Sequence, residues 1–558
     1  MNLFGADVRG LDVDAFLTTA RNLFPLLALA WLAAMLRIRR AGWLLAGVVL
    51  ANAYVWFETN WPLQRLYALG PSSDRLNNLA MVQAVAAGGP LLRTAQVGHL
   101  QFEPFWALLT ATLSGFDPAR LLRMYGFYSL ATSCGLALSL YFAMRPPADS
   151  AAWSPWERAV VAGFATLLSS TALDWIGPYR VPWAMTFLLK PNHAMGLILA
   201  PWVVRAVAHA ERTRDRLLAG LLLHLLGWVF VIHMGAVCVG LVTFVVLMTM
   251  WRRDQAGRAA LTVAVAIGVN VLVVSPYLFM LFQGYGVFQS GPRLEIPPAS
   301  PHLLEATTRT AALGALATWG AVVLFRRDRL GQVWCGQVVG ALLLWLSYYP
   351  LHLLQQAKER DDTYYWLRVN LAVCAGVGAW NLAGRVARRL AVPGDDVLRA
   401  ALIAVAALPF SLPYWWEPSR MDLYFAGSLS PVPSRYVEPA GRVAGDRHAV
   451  IAGDPVAARW VAALTGTRVL LAQDFPSPRD WRVRLEYANA VVRGRLSDPA
   501  AEGARWGVTH LIVTPAFLAG NGVSLQDVQA LSAMRQTALA RDSDGEFVAL
   551  FDLVPARR

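Results

Sequence analysis

Lysine is almost missing from this sequence. Of its 49 basic residues only Lys190 and Lys358 are lysines, and the rest are arginine. An ammonium kept at just two places in an arginine- and alanine-rich background hints that it is wanted there. Cysteine is also scarce. Cys134, Cys238, Cys335 and Cys374 all fall in apolar runs and read as small buried residues, which excludes a disulfide framework. No CxxC or HExxH pattern occurs, so no metal-binding signature is present. Charge is low at 15% of residues, against about 25% in a soluble domain. No basic stripe interleaved with aromatics lies outside the apolar part, which argues against a nucleic-acid partner. Internal repeats and low-complexity tracts are absent. The first apolar run ends in Arg37-Ile38-Arg39-Arg40, not in a small-residue cleavage site, so no cleavable signal is expected.

What fills the chain is apolar sequence. Of 558 residues, 56% are hydrophobic, and the mean hydropathy is +0.43. Apolar runs of about 18 residues or more recur between residues 21 and 417, the pattern of a mostly α, polytopic helical membrane protein. Spans are expected near 21–37, 42–58, 121–144, 156–175, 184–209, 216–232, 234–251, 259–281, 303–325, 331–351, 364–386 and 398–416. The long run Leu217–Trp251 is split at Ile232-His233-Met234-Gly235, read as a hairpin tip. Charge alternation orders these spans. Arg37, Arg39 and Arg40 would be cytoplasmic, and so would Arg145 and Arg158, Arg205 to Arg216, Arg252 to Arg258, Arg326 to Arg329, and Arg385 to Arg399. The net charge of +13 then needs no polyanionic partner. The alternation holds only if Phe102–Phe116 stays out of the bilayer as an interfacial or re-entrant piece. The expected layout is twelve spans in the inner membrane, with both termini and the loop 58–120 outside.

The segment 1–20 reads as a short exposed start. Residues 417–445, rich in Pro, Gly, Ser and Arg, read as a linker. Residues 446–558 read as a small extracytoplasmic α/β domain. Strands are expected at His448–Ala452, Arg468–Ala472, Thr509–Thr514 and Phe547–Leu553, and helices at Pro455–Leu464, Trp481–Val492 and Leu525–Ala538. No glycine-rich phosphate loop opens any of these helices.

Ionisable residues at membrane depth are costly and are functional candidates by default. The outer loop 58–120 carries Glu58, Asp74 and Glu103. Lys190 and His193 flank Pro191 about two turns below the outer surface, where a broken helix would line a polar cavity. His233 sits at the expected outer hairpin tip, where exposure to water and ligand contact are both open. The outside loop 352–363 includes Asp361, and Arg368 falls about one turn into the next span. A permanently charged guanidinium there calls for a phosphate, a carboxylate or an internal ion pair. The loop around 282–301 is either a lid or a plain connector. This one-sided set of carboxylates and cations beside lipid suggests chemistry on a lipid-linked phosphate at the outer face.

Four stretches carry a family resemblance. They are Ser72-Ser73-Asp74-Arg75-Leu76-Asn77-Asn78, the Gly88–Pro90 Gly-Gly-Pro stretch, Phe102-Glu103-Pro104-Phe105-Trp106 before a long span, and the apolar hairpin with His233. With the small domain after the last span, they make the chain similar to the GT-C fold polytopic glycosyltransferases that use polyprenyl-phosphate sugars. The resemblance covers roughly residues 20–416 and is mainly architectural. It implies an inverting sugar transfer to a glycan, lipid or protein acceptor of the envelope, within membrane lipid. Asp74, with Glu58 as the alternative, would be the base. Lys190, His193, His233, Arg368, Glu103 and Asp361 would contact substrate. Some members use a divalent cation, although no preformed ligand set is evident here. Two other readings are an oligosaccharide ligase or polymerase, and a transporter or flippase. The transporter reading predicts inverted repeats and paired broken helices.

Overall fold

Most apolar runs become helices, but several helices run past the apolar stretch that announces them. The computed structural model describes residues 2–3, 6–7, 13–65, 73–88, 104–117, 134–145, 153–168, 191–287, 314–347, 357–389, 395–416, 433–472, 476–478 and 480–554. In chain order the helices are α1 (Val13–Ile38), α2 (Ala41–Arg65), α3 (Ser73–Ala86), α4 (Pro104–Leu113), α5 (Cys134–Ala143), α6 (Pro155–Gly163) and α7 (Pro191–His209). They continue with α8 (Thr213–Val229), α9 (Val231–Trp251), α10 (Arg253–Gly284), α11 (314–327), α12 (Arg329–Ser347), α13 (Ala357–Arg389), α14 (Asp396–Trp416) and α15 (Ser434–Val443). Two compact units result. The first takes Met1–Trp61, Phe127–Ser275 and Leu294–Ala426, and the second takes Pro62–Gly126, Pro276–Arg293 and Gly427–Arg558.

The first unit is a helical bundle. Among the described residues, Val231–Trp251, Arg253–Val273 and Arg329–Ser347 are long and apolar enough to cross a bilayer. At about 1.5 Å per residue they reach roughly 30 Å. Shorter apolar stretches are Leu29–Ile38 within α1, Ala41–Ala53 within α2, Cys134–Ala143 as α5 and Met195–His209 within α7. Bilayer lipid offers no hydrophobic drive for helices to associate, so small residues at the crossings matter. The α9–α12 pair shows this. A Cβ on Gly340 would stand 2.6 Å from the Cα of Gly240, so only glycine lets the two backbones touch.

The segments that charge alternation assigns to one side meet at one end of this unit. Arg39 pairs with Asp395. Arg327 pairs with Glu157 at 2.8 Å, and Glu157 is almost fully buried. Trp153 donates its indole N–H to Asp328 at 2.8 Å, and Arg205 donates to the carbonyls of Phe142, Ala143 and Arg145. Arg216 and Arg258 both lie within electrostatic range of Arg329, so α8 and α9 run in opposite directions.

Four local expectations are corrected. Helix α1 begins at Val13, inside the segment read as an exposed start. Helix α2 continues to Arg65, so Glu58 lies on a helix and not in a loop. The charged segment from Lys358 to Asp362 forms the opening turns of α13, since Lys, Glu and Arg are good helix formers and a membrane boundary is not a helix boundary. The α8–α9 break falls at Phe230, whose extended backbone (φ −158°, ψ 102°) makes it the cap residue. Its carbonyl accepts the first helical bond from Met234 N–H. Spans and loops expected within 118–133, 169–190, 288–313 and 348–356 lie outside the described residues.

The second unit joins segments far apart in sequence. Its five-stranded sheet uses β2 (Val450–Gly453), β3 (Arg468–Val469), β5 (His510–Val513), β6 (Met534–Arg541) and β7 (Phe547–Leu553), in the order β3-β2-β5-β7-β6. The first three strands are parallel, and β7 pairs antiparallel with both β5 and β6. All four residues of β2 are buried, as expected for a central parallel strand. A further pair, β1 (Tyr285–Val287) with β4 (Pro476–Pro478), brings a segment from between two helices against the C-terminal part. Helix α16 (Pro455–Thr465) packs on α3, whose residues from Leu79 to Ala86 are all buried. Helix α4 has ten residues, about 15 Å, half of what a span needs.

Two expectations fail in this unit. Residues Met534–Arg541 form a strand where a helix over Leu525–Ala538 was expected, and only Leu525–Gln529 is helical. Pairing with β7 overrides local propensity there. Residues Ser434–Val443 form α15 inside the expected linker, with Tyr436, Pro439, Ala440 and Val443 buried. A carboxylate from the β6–β7 turn helps hold α15. Asp542 accepts from the Ser434 hydroxyl, from Arg435 N–H at 2.9 Å and from the Arg435 guanidinium at 2.7 Å. The Ser434 hydroxyl bond first, with the Arg435 backbone bond and charge adding to it, holds the Asp542 carboxyl below its ordinary value. A depressed carboxyl stabilises above its unfolded pKa of about 3.9 and loses that contribution as pH falls through the lower folded value. Hydrogen exchange of α15, corrected for intrinsic rates, should be about fivefold faster in Asp542→Asn at pH 6. The difference from wild type should narrow as pH falls below about 4 and through the lower folded value. A gap that is the same at every pH down to acid unfolding would rule out this carboxylate as the cause.

Candidate functional site

The end of the first unit opposite the arginines holds the candidate residues whose side chains are described. His233 stands in the first turn of α9 and is fully buried. It is at the hairpin end, as expected, but it is not exposed. Its ring meets Phe230 edge-on at 4.5 Å. Helix α7 passes directly over it, and a Cβ on Gly196 would lie 2.6 Å from His233 Nδ1 and 3.1 Å from Phe230 Cβ. The neighbouring Met234 receives a contact at 3.4 Å from the buried amide of Asn270 on α10.

This packing gives a direct test. Gly196→Ala forces a methyl group into His233 and should cost about 1–3 kcal/mol by overpacking. Gly235→Ala is the control, because nothing lies within 4 Å of its Cβ position, and alanine favours a helix. Thermal unfolding in detergent should therefore separate the two, with only Gly196→Ala lowered. Equal melting temperatures would refute the close approach of α7 to His233.

Pro191 is the first described residue of α7, and what precedes it lies outside the described residues. His193 lies on α7, three residues before Gly196. Lys190 lies outside the described residues, as does Glu103.

Arg368 is the twelfth described residue of α13, four residues after the expected start of its span at 364. It is 1% exposed. Burying a guanidinium costs desolvation, which interactions inside the protein must offset. Asp361 precedes it by seven residues on α13. Just before Arg368, Trp366 donates its indole N–H to Gln337 Oε1 at 3.2 Å, and Gln337 in turn donates to the Val237 carbonyl at 3.2 Å. Val237 lies one turn after His233. A single buried amide thus ties α13, α12 and α9 together.

The loop carboxylates are placed by their helices. Asp74 is the second residue of α3, in the second unit, where helix-terminal amides favour negative charge. Glu58 lies on α2 within the first unit. Among the described residues no group of three or more His, Cys, Asp or Glu is arranged to hold a metal. The sequence reading missed Gly196, Gln337 and Asn270. The spacing of Gly196 from His193 was a usable signal, whereas Gln337 acquires meaning only through two partners on other helices.

No protein-family model matches the sequence, and no curated protein does either. Among solved structures, the chain matches the crystal structure of ArnT from Cupriavidus metallidurans in the apo state. The match has a TM-score of 0.50 at 12% sequence identity and covers 91% of this chain and 98% of that one. The chain has the GT-C fold. In a GT-C frame, the buried His233 and Arg368 lie in a polytopic helical module, and the unit holding α3 and α4 includes the C-terminal sheet.

Proposed function

We propose that this chain is a membrane glycosyltransferase. It transfers a sugar from a polyprenyl-phosphate-linked donor to an envelope acceptor at the outer face, with inversion. The observation that carries this reading is the GT-C fold shared along 91% of the chain, with Arg368 buried inside it. Asp74 takes the proton of the acceptor hydroxyl as its oxygen attacks the anomeric carbon. The bond from that carbon to the phosphate oxygen breaks, and polyprenyl phosphate leaves with the electron pair. Arg368, Lys190 and His193 hold the phosphate and stabilise the charge that grows on it. His233, Glu103 and Asp361 position the sugars.

The test uses the purified full chain in lipid, with radiolabelled polyprenyl-phosphate sugars and an envelope acceptor extract. Label should move to the acceptor. Flux across proteoliposomes with no label transferred would replace this reading with a transporter.

A further inference from the structure

The geometry points to a phospholipid headgroup site at the arginine-rich end of the first unit, between α5 and α7. Arg205 on α7 donates to the carbonyls of Phe142, Ala143 and Arg145 at the C-terminus of α5. Arg158, from α6, donates to the Tyr141 carbonyl at 3.2 Å and lies over the Tyr141 ring at 4.5 Å. The three guanidinium groups of Arg145, Arg158 and Arg205 repel one another.

Capping explains part of this cluster but not all of it. A helix C-terminus carries about half a negative charge, while the three arginines carry three positive ones. Among the described residues none of the three makes an ion pair with a carboxylate. Arg158 is 7% exposed, and its Nε has no hydrogen-bond partner among those residues. A buried, partnerless N–H next to surplus positive charge is a site for an anion.

The surroundings select the anion. Leu138 and Phe142, one turn apart on α5, are 38% and 46% exposed, and Trp202, one turn before Arg205 on α7, is 36% exposed. The two helices pack side by side, with the Ser139 hydroxyl on the Ile198 carbonyl. Inorganic phosphate would satisfy the arginines and leave these apolar side chains uncovered. An anionic phospholipid places its phosphate on the arginines and its chains along Leu138, Phe142 and Trp202, as basic clusters at the ends of spans do with lipid headgroups. The site is independent of the transfer reaction.

The experiment places the full chain in nanodiscs of phosphatidylcholine containing a graded fraction of phosphatidylglycerol. Retained lipid is counted by native mass spectrometry, and thermal unfolding is followed in parallel. Wild type should keep phosphatidylglycerol in preference to phosphatidylcholine and melt higher as its fraction rises. Arg145→Gln, at an exposed position that leaves the carbonyl contacts intact, should need about fivefold more phosphatidylglycerol for the same retention. Equal retention by wild type and Arg145→Gln would overturn the proposal. Equal protection by inorganic phosphate alone would assign the arginines to a soluble anion instead. A large gain in retention in Asp149→Asn would show that a carboxylate of this chain fills the site.

Discussion

Asp74→Asn is expected to lower sugar transfer by about 10²- to 10⁴-fold while leaving the protein folded. Asparagine keeps the shape of the side chain and loses the ability to take a proton. Asp74 stands at the second position of α3, where backbone amides point outward and favour a carboxylate. Proximity to the acceptor hydroxyl must supply much of the effect, because a carboxylate is a far weaker base than the alkoxide it would form. Glu58→Gln is the paired control. Glu58 lies on α2 in the first unit and is expected to leave transfer within a few-fold of wild type. Full activity in Asp74→Asn would remove Asp74 from the mechanism. Loss in Glu58→Gln with Asp74→Asn active would move the role to Glu58.

The second large effect is expected at Arg368. Replacing it with Gln should reduce kcat/KM for the lipid-linked donor by about 10²- to 10³-fold, the scale for losing one charged donor at a developing oxyanion. Arg368→Lys should recover only part of the loss, because an ammonium keeps the charge but not the planar fork. Thermal unfolding separates this role from a structural one. If Arg368 serves an ion pair inside the bundle, Arg368→Gln strands a buried partner and should destabilise the fold by about 3–5 kcal/mol. A substrate role predicts a folded, inactive protein. A destabilised protein that still transfers sugar at the wild-type rate would end the substrate role.

The helices of the bundle were legible because hydropathy and charge are local. Residues Val231–Trp251 and Arg329–Ser347 are apolar over a bilayer's thickness, and the arginines that flank the spans sort to one end. Element ends were less legible. The opening of α13 is too charged to be read from hydropathy, and Met534–Arg541 is a strand only because Phe547–Leu553 lies beside it. In the candidate site, His233 and Arg368 stood out as ionisable groups in apolar runs. Their burial did not, since it comes from packing between helices far apart in sequence, as Gly196 of α7 packs against His233 of α9.

The packing of α3 against α16 also sets a timetable for synthesis. The 369 residues that follow Ala86 up to and including Pro455 must be made before the two helices can meet. At about 5–20 residues per second that is roughly 20–70 s. During that time the stretch from Leu79 to Ala86, entirely buried in the finished protein, waits without its partner. A nascent chain stopped before residue 455 should therefore be held by a chaperone or cut by a protease near α3, and extension past α16 should end that sensitivity.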